Sequence, residues 1–147
     1  MATQLQLRKG TKIQNDTFTG AQGELTFETD TKGLRIHDGA TQGGFEVPVL
    51  VAIQRPTAAN DYTWYRKYSD GWVEQGGRIG LNTTSVAIPV EMSDADYQCI
   101  VTYRNMSGNT NTLKFENAAT LTQTSTGFTV LTAASSYRNW FVQGMAA

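Results

Sequence analysis

The stretch GELTFETDTKGLRIHDGATQGG, residues 23–44, alternates apolar and polar residues, turns at Asp30-Thr31-Lys32-Gly33, alternates again and dissolves into glycine. Alternation of period two marks a strand with one apolar face. Two such runs around a short turn predict a hairpin, with Gly33 as the natural site for a positive φ. Leu25 and Phe27 share a face with Leu34 and Ile36 across the turn, and Glu24, Thr26, Glu28, Arg35 and His37 take the other. The pattern assigns that polar face, with Glu24 and Glu28 as surface charges, to solvent. A lone hairpin is marginal in water, and the flanking sequence has too little apolar material to cover Leu25, Phe27, Leu34 and Ile36. The expected cover is other copies of the same chain.

Outward from the hairpin, Leu5 and Leu7 alternate with Gln4, Gln6 and Arg8, which suits a short strand ending at Gly10. Residues 15–24 are turn-rich around Phe18. An apolar run, VPVLVAI (47–53), is followed by the polar, Pro56-bearing QRPTAAND (54–61). Residues 1–53 therefore read as one module, 54–61 as a linker and 62–147 as a second domain. That domain opens with YTWYRKYSDGWVEQGG (62–77), two strands around an Asp70-Gly71 turn. Further short strands are expected over 85–92, where Pro89 suggests an edge or bulge, and over 96–105, 111–117, 127–133 and 139–145. Helical periodicity of useful length and internal repeats are absent from the sequence. The chain reads as all-β: a hairpin module followed by an antiparallel β-sandwich.

Composition narrows the function. The 147 residues carry 12 basic and 13 acidic side chains, a formal net charge of −1, with the signs interspersed. This argues against nucleic acid as a partner and against an anionic membrane surface. Threonine is the commonest residue and 14 residues are glycine, which favours sheet and turns. The start MATQLQLRKG has no apolar core of a secretory signal, and no run approaches the ~20 apolar residues of a membrane span. Cys99 is the one cysteine, so no disulfide closes within the chain.

Little in the sequence suggests catalysis. His37 is the one histidine, and a metal needs several converging ligands; we read it as structural, with no metal and no cofactor. Cys99 sits at an inward phase and reads as a small buried hydrophobe. The glycines of GGRIG (76–80) lack the lysine and following helix of a phosphate loop. Asp94 and Asp96 read as a turn. The aromatic residues Trp64, Tyr65, Tyr68, Trp72, Tyr137, Trp140 and Phe141 read mainly as core joining the first and last strands of one sheet; some of them projecting to stack on sugar rings is the alternative. Two polar loops suit surface recognition: 104–111, with Arg104, Asn105, Ser107, Asn109 and Asn111, and 134–139, with Tyr137 and Arg138.

The segment LQLRKGTKIQNDTFTGAQGELTFETDTKGLRIHDGATQGGFEV (5–47) resembles the small N-terminal module of bacteriophage tail fibres and tropism-determinant proteins. The marks it shares are the L-R-x-G-T start at Leu7 to Thr11, the turn into a strand from Phe18 to Leu25, and the D-T-x-x-x-L-x-x-H-D-G run from Asp30 to Gly39. The run TWYRKYSDGWVEQGG (63–77) with the closing RNWFVQGMAA (138–147) is similar to the C-terminal domain of phage and prophage tail fibres. The resemblance implies a virion protein made in the host cytoplasm, a homotrimer whose N-terminal modules form a β-prism-like assembly, and a β-sandwich tip. It further implies an assembly or attachment role for residues 1–53, contacts with other virion tail proteins through that N-terminal module, and adhesion of the tip to host-surface glycan or an outer-surface protein. Related fibres carry a long shaft or an enzymatic spike between these modules, where this chain has only residues 48–61. Two rival readings remain: a glycan-degrading tail enzyme with carboxylates gathered between subunits, and a collar or decoration protein without a receptor.

Overall fold

The computed structural model describes residues 6–103, 114–115, 122–130 and 138–147. The chain divides into two compact units, Met1–Val51 with Tyr68–Asp70, and Ala52–Lys67 with Gly71–Ala147. The division falls at Val51/Ala52, and residues 54–61, expected as a linker, belong to the second unit.

The first unit is a four-stranded sheet in the order β1-β2-β3-β4, with β1 Arg8–Gly10, β2 Leu25–Glu28, β3 Leu34–Ile36 and β4 Phe45–Val47. The expected hairpin is β2–β3, with Leu25 opposite Ile36 and Phe27 opposite Leu34. Its left-handed position is Lys32, φ 66°, and not Gly33. Beside Gly33 a Cβ would stand 3.1 Å from a Glu28 carboxylate oxygen, so glycine there provides space. β1 runs parallel to β2, which requires a crossover between them. The crossover contains one turn of helix, α1 (Lys12–Asp16), that hydrophobic periodicity is too short to reveal. Thr11 caps it reciprocally: Gln14 N–H donates to Thr11 Oγ1 at 3.3 Å and Thr11 N–H to Gln14 Oε1 at 2.9 Å. Asp30 adds a second anchor by accepting from the Lys12 N–H at 2.9 Å.

The second unit has two sheets. The larger has the order β10-β9-β13-β7-β6-β5, built from β5 (Leu50–Gln54), β6 (Trp64–Tyr68), β7 (Trp72–Ile79), β9 (Gln98–Tyr103), β10 (Lys114–Phe115) and β13 (Arg138–Met145). The smaller has the order β11-β12-β8, from β8 (Ser85–Ala87), β11 (Thr122–Thr124) and β12 (Gly127–Thr129). β13 lies between β7 and β9, pairing antiparallel with each. Ile79, Val101, Trp140 and Val142 of the larger sheet share one core with Val86 and Phe128 of the smaller, closed by Ile88, Met92, Tyr97 and Val130. Trp140 meets Phe128 edge-on, ring centroids 5.9 Å apart. This is the all-β sandwich expected from the strand spacing.

The strand expected over 85–92 stops at Ala87, before Pro89. Where it stops, the buried Gln75 amide replaces strand pairing. Its Nε2 donates to the Val90 carbonyl at 2.9 Å, and its Oε1 accepts from the Val90 N–H at 3.0 Å. The β6–β7 connection is longer than a two-residue turn, since the last pair is Lys67 with Val73; Gly71 takes φ 89° within it.

Candidate functional site

The first unit is packed on its polar side. Thr26, Glu28, Arg35 and His37, assigned to solvent by the alternation, are 0–3% exposed. The expectation that Glu28 is a surface charge is thus overturned. Burying such groups requires partners, and the crossover, the β3–β4 connection and the neighbouring strands supply them. Arg35 donates Nε–H to Glu28 at 2.6 Å, Nη1–H to the Gly43 carbonyl at 2.8 Å, and Nη2–H to Asp16 and Glu46 at 2.5 and 2.9 Å. Glu28 also accepts from the Thr31 hydroxyl. His37 Nδ1 accepts from the Gly20 N–H at 3.2 Å, which leaves Nε2 to donate to Thr26 Oγ1 at 3.1 Å. A Cβ at Gly20 would stand 2.6 Å from the imidazole, and one at Gly44 2.8 Å. The histidine holds structure, as its place in His-Asp-Gly suggests. Asp38 ties down the loop that follows: its carboxylate accepts from the backbone N–H groups of Thr41 (2.7 Å) and Ala40 (2.9 Å) and from the Thr41 hydroxyl. Those bonds, the Thr41 amide first, lower its pKa to about 2.

The opposite face is apolar and open. Leu25, Ile36 and Phe45 stand in register across β2, β3 and β4 and are 40%, 45% and 56% exposed. Beside them Phe27, Leu34 and Val47 form a second half-buried row. The four residues expected at a subunit interface thus sit together. Phe45 and Val47 complete the face; the apolar run of the sequence, 47–53, includes Val47 and not Phe45.

In the second unit the described residues place only Arg138 of the expected receptor-contacting set. It is 0% exposed and donates Nη2–H to the Thr83 carbonyl at 2.5 Å, so it supports the start of β13 and does not face a receptor. Arg104, Asn105, Ser107, Asn109, Asn111 and Tyr137 lie outside the described residues. Cys99 is partly buried against the core, and burial pushes its thiol up to about 11, far from a nucleophile's range. Among the described residues no cluster of histidine, cysteine and carboxylates could hold a metal ion, and no helix is long and apolar enough to cross a membrane.

What sequence reading missed is a pair of hollows, about 480 Å³ and 300 Å³, that share Tyr62, Arg78 and Trp140 in their walls. A 3₁₀ turn, Ala58–Asn60, leads into Asp61 and Tyr62, both left-handed at φ 50° and 57°. The turn is pinned by Thr57 N–H donating to Asn60 Oδ1 at 2.8 Å and Asn60 Nδ2–H to the Arg55 carbonyl at 3.0 Å. Tyr62 N–H donates to the Thr57 carbonyl at 2.8 Å. The Arg78 guanidinium lies 4.1 Å over the Tyr62 ring. Adjacent glycines of β7 seat the two neighbouring indoles: a Cβ at Gly76 would stand 2.8 Å from Trp64 Nε1, and one at Gly77 2.8 Å from Trp140 Nε1. The one signal in the sequence was Gly76-Gly77 opposite two tryptophans.

Compared with known proteins, residues 5–41 match the family model described as the Major tropism determinant N-terminal domain. Over 45 residues the chain is 53% identical to the "Tail fiber receptor-binding protein" of Bordetella phage BPP-1; the match spans 31% of this chain and 12% of that protein. Among solved structures, the Major Tropism Determinant I1 variant aligns over 76% of this chain and 36% of its own at 22% identity and a TM-score of 0.29. The P3c variant aligns over 84% and 35% at 23% identity and a TM-score of 0.28. Residues 5–41 of the first unit thus resemble a module found in a phage tail-fibre protein. Their particular likeness is to the N-terminal domain of tropism determinants, as the residues from Leu7 to Gly39 suggested.

Proposed function

We propose that the chain is a phage tail-fibre protein that assembles as a homotrimer through the outer face of its N-terminal module and adheres to the host surface through its second unit. The observation that carries this reading is the open row of Leu25, Ile36 and Phe45, on a sheet whose other face is already filled by its own crossover. A module with one spare apolar face is a surface built for a neighbour. Identical neighbours around a closed axis cover it and protect sheet edges. Burying ~800 Å² per copy at ~25 cal/mol/Å² gives a gross gain on the order of 20 kcal/mol, which association entropy reduces but does not cancel. Three tips on one fibre then turn weak single contacts into firm attachment.

The relative's role in receptor binding and the virion setting support the adhesive half of the proposal. The N-terminal module joins other tail proteins, and the protein works by binding, without catalysis. The test is a pull-down of the labelled protein on a panel of bacteria that begins with Bordetella, before and after surface glycan is stripped. Adhesion to at least one strain is expected, with no new reducing ends released from its polysaccharide. Uniform failure to adhere, with retention on other virion proteins, would replace the receptor role with a purely structural one.

A further inference from the structure

We infer that the paired hollows around Tyr62 form a saccharide-binding groove that takes a neutral pyranose at the end of a glycan. This rests on the reading of the second unit as an adhesive tip, and it locates the contact in residues other than the two loops expected to make it.

The larger hollow, about 480 Å³, is of small-molecule size. Its walls mix aromatic surface, from Tyr62 and Trp140, with the hydrogen-bonding side chains of Asp61, Thr63, Arg78 and Thr83. That mixture fits a sugar, whose ring presents C–H groups to an aromatic face and hydroxyls at its rim. A carboxylate on the turn before β6 and a guanidinium near the end of β7 can engage adjacent hydroxyls in pairs. Asp61 and Arg78 are held close by the Arg78 N–H donating to the Asp61 carbonyl at 3.3 Å. A wholly apolar ligand would offer no hydrogen bond to the Asp61 carboxylate or the Thr63 and Thr83 hydroxyls. A phosphate-bearing ligand would meet the Asp61 carboxylate on a chain of net charge −1.

The backbone supplies a second, separate observation. Tyr62 is 41% exposed and keeps a left-handed φ of 57° that a bulky residue avoids. The strain is tolerated where the ring's position is useful. If the tyrosine served folding alone, a glycine would hold the same backbone without strain, at the loss of the stack on Arg78.

The experiment uses the full chain with the methyl glycosides of glucose, galactose and N-acetylglucosamine as probes, read by saturation-transfer NMR and tryptophan fluorescence. The wild type is expected to bind at least one of them. Tyr62→Gly should weaken that glycoside by about tenfold or more while its melting temperature holds or rises, and Asp61→Asn should weaken it less. Failure of the wild type with all three glycosides, or undiminished binding by Tyr62→Gly, overturns the groove. Cell adhesion run in parallel separates this inference from the broader one. Adhesion unaffected by Tyr62→Gly rejects the groove as the receptor contact and leaves the adhesive role standing. Glycoside binding without adhesion to any strain does the reverse.

Discussion

Arg35 satisfies four acceptors from a position 3% exposed, and the arrangement makes a prediction about its nearest partner. Glu28→Ala removes the carboxylate that shares Arg35's burial, with side chains 4% exposed on each side. Breaking one half of such a pair costs about 3–5 kcal/mol. The amides of β2 and β3 should exchange with solvent correspondingly faster; unchanged protection would show that Asp16 and Glu46 suffice. Replacing both residues by leucine and methionine should recover much of the loss, because the unpaired charge disappears with its partner. Asp38 gives a test by pH. A carboxylate held at about 2 in the fold, against 3.8 ordinarily, binds fewer protons folded than unfolded. Its stabilisation of the 38–41 loop is therefore complete above ordinary carboxylate pKa values and is lost as pH falls from 3.8 toward 2. NMR titration should place its inflection near the lower value; an inflection at the ordinary one would mean the turn bonds are not made.

At the scale of elements, the alternation in 23–44 revealed the strands, their pairing and the four residues that share a face. It could not reveal which face is covered from within. Apolar periodicity normally marks the inner side, yet here the crossover with α1 lies over the polar side and brings Asp16 and Gly20 to it. Those partners are 19 and 17 residues from the ones they serve, Arg35 and His37, beyond any local pattern. The glycines were the legible sign, since Gly20 and Gly44 leave room for the His37 ring. The consequence is testable. Ile36→Glu or Phe45→Glu alters a side chain about half exposed in the single chain, so each variant should fold with native β-sheet circular dichroism while its assembly dissociates. Loss of the fold itself would show that this face is covered within one chain.

For the whole molecule, light scattering at micromolar concentration should give about 48 kDa, three times the 16.1 kDa of one chain; a mass of one chain would remove the assembly proposal. The two-part plan was legible because Pro56 and the polar residues around it interrupt the apolar pattern, but the boundary falls earlier, at Val51/Ala52. The sandwich was legible from strand spacing alone. The groove was not, because the pairing of β7 with β13 and with β6 brings Arg78 and Trp140 to the turn before β6, and its main residue owes its place to a backbone angle that side-chain patterns do not encode.

The divided labour of β2, β3 and β4 has an evolutionary side. One set of alternate positions instructs the module how to fold, and the intervening set is the one that the proposed assembly offers to neighbours. Mutations can repaint the second set without erasing the first. Under the proposed assembly, two phages sharing a cell would diverge into fibres that refuse to mix while every subunit still matures correctly.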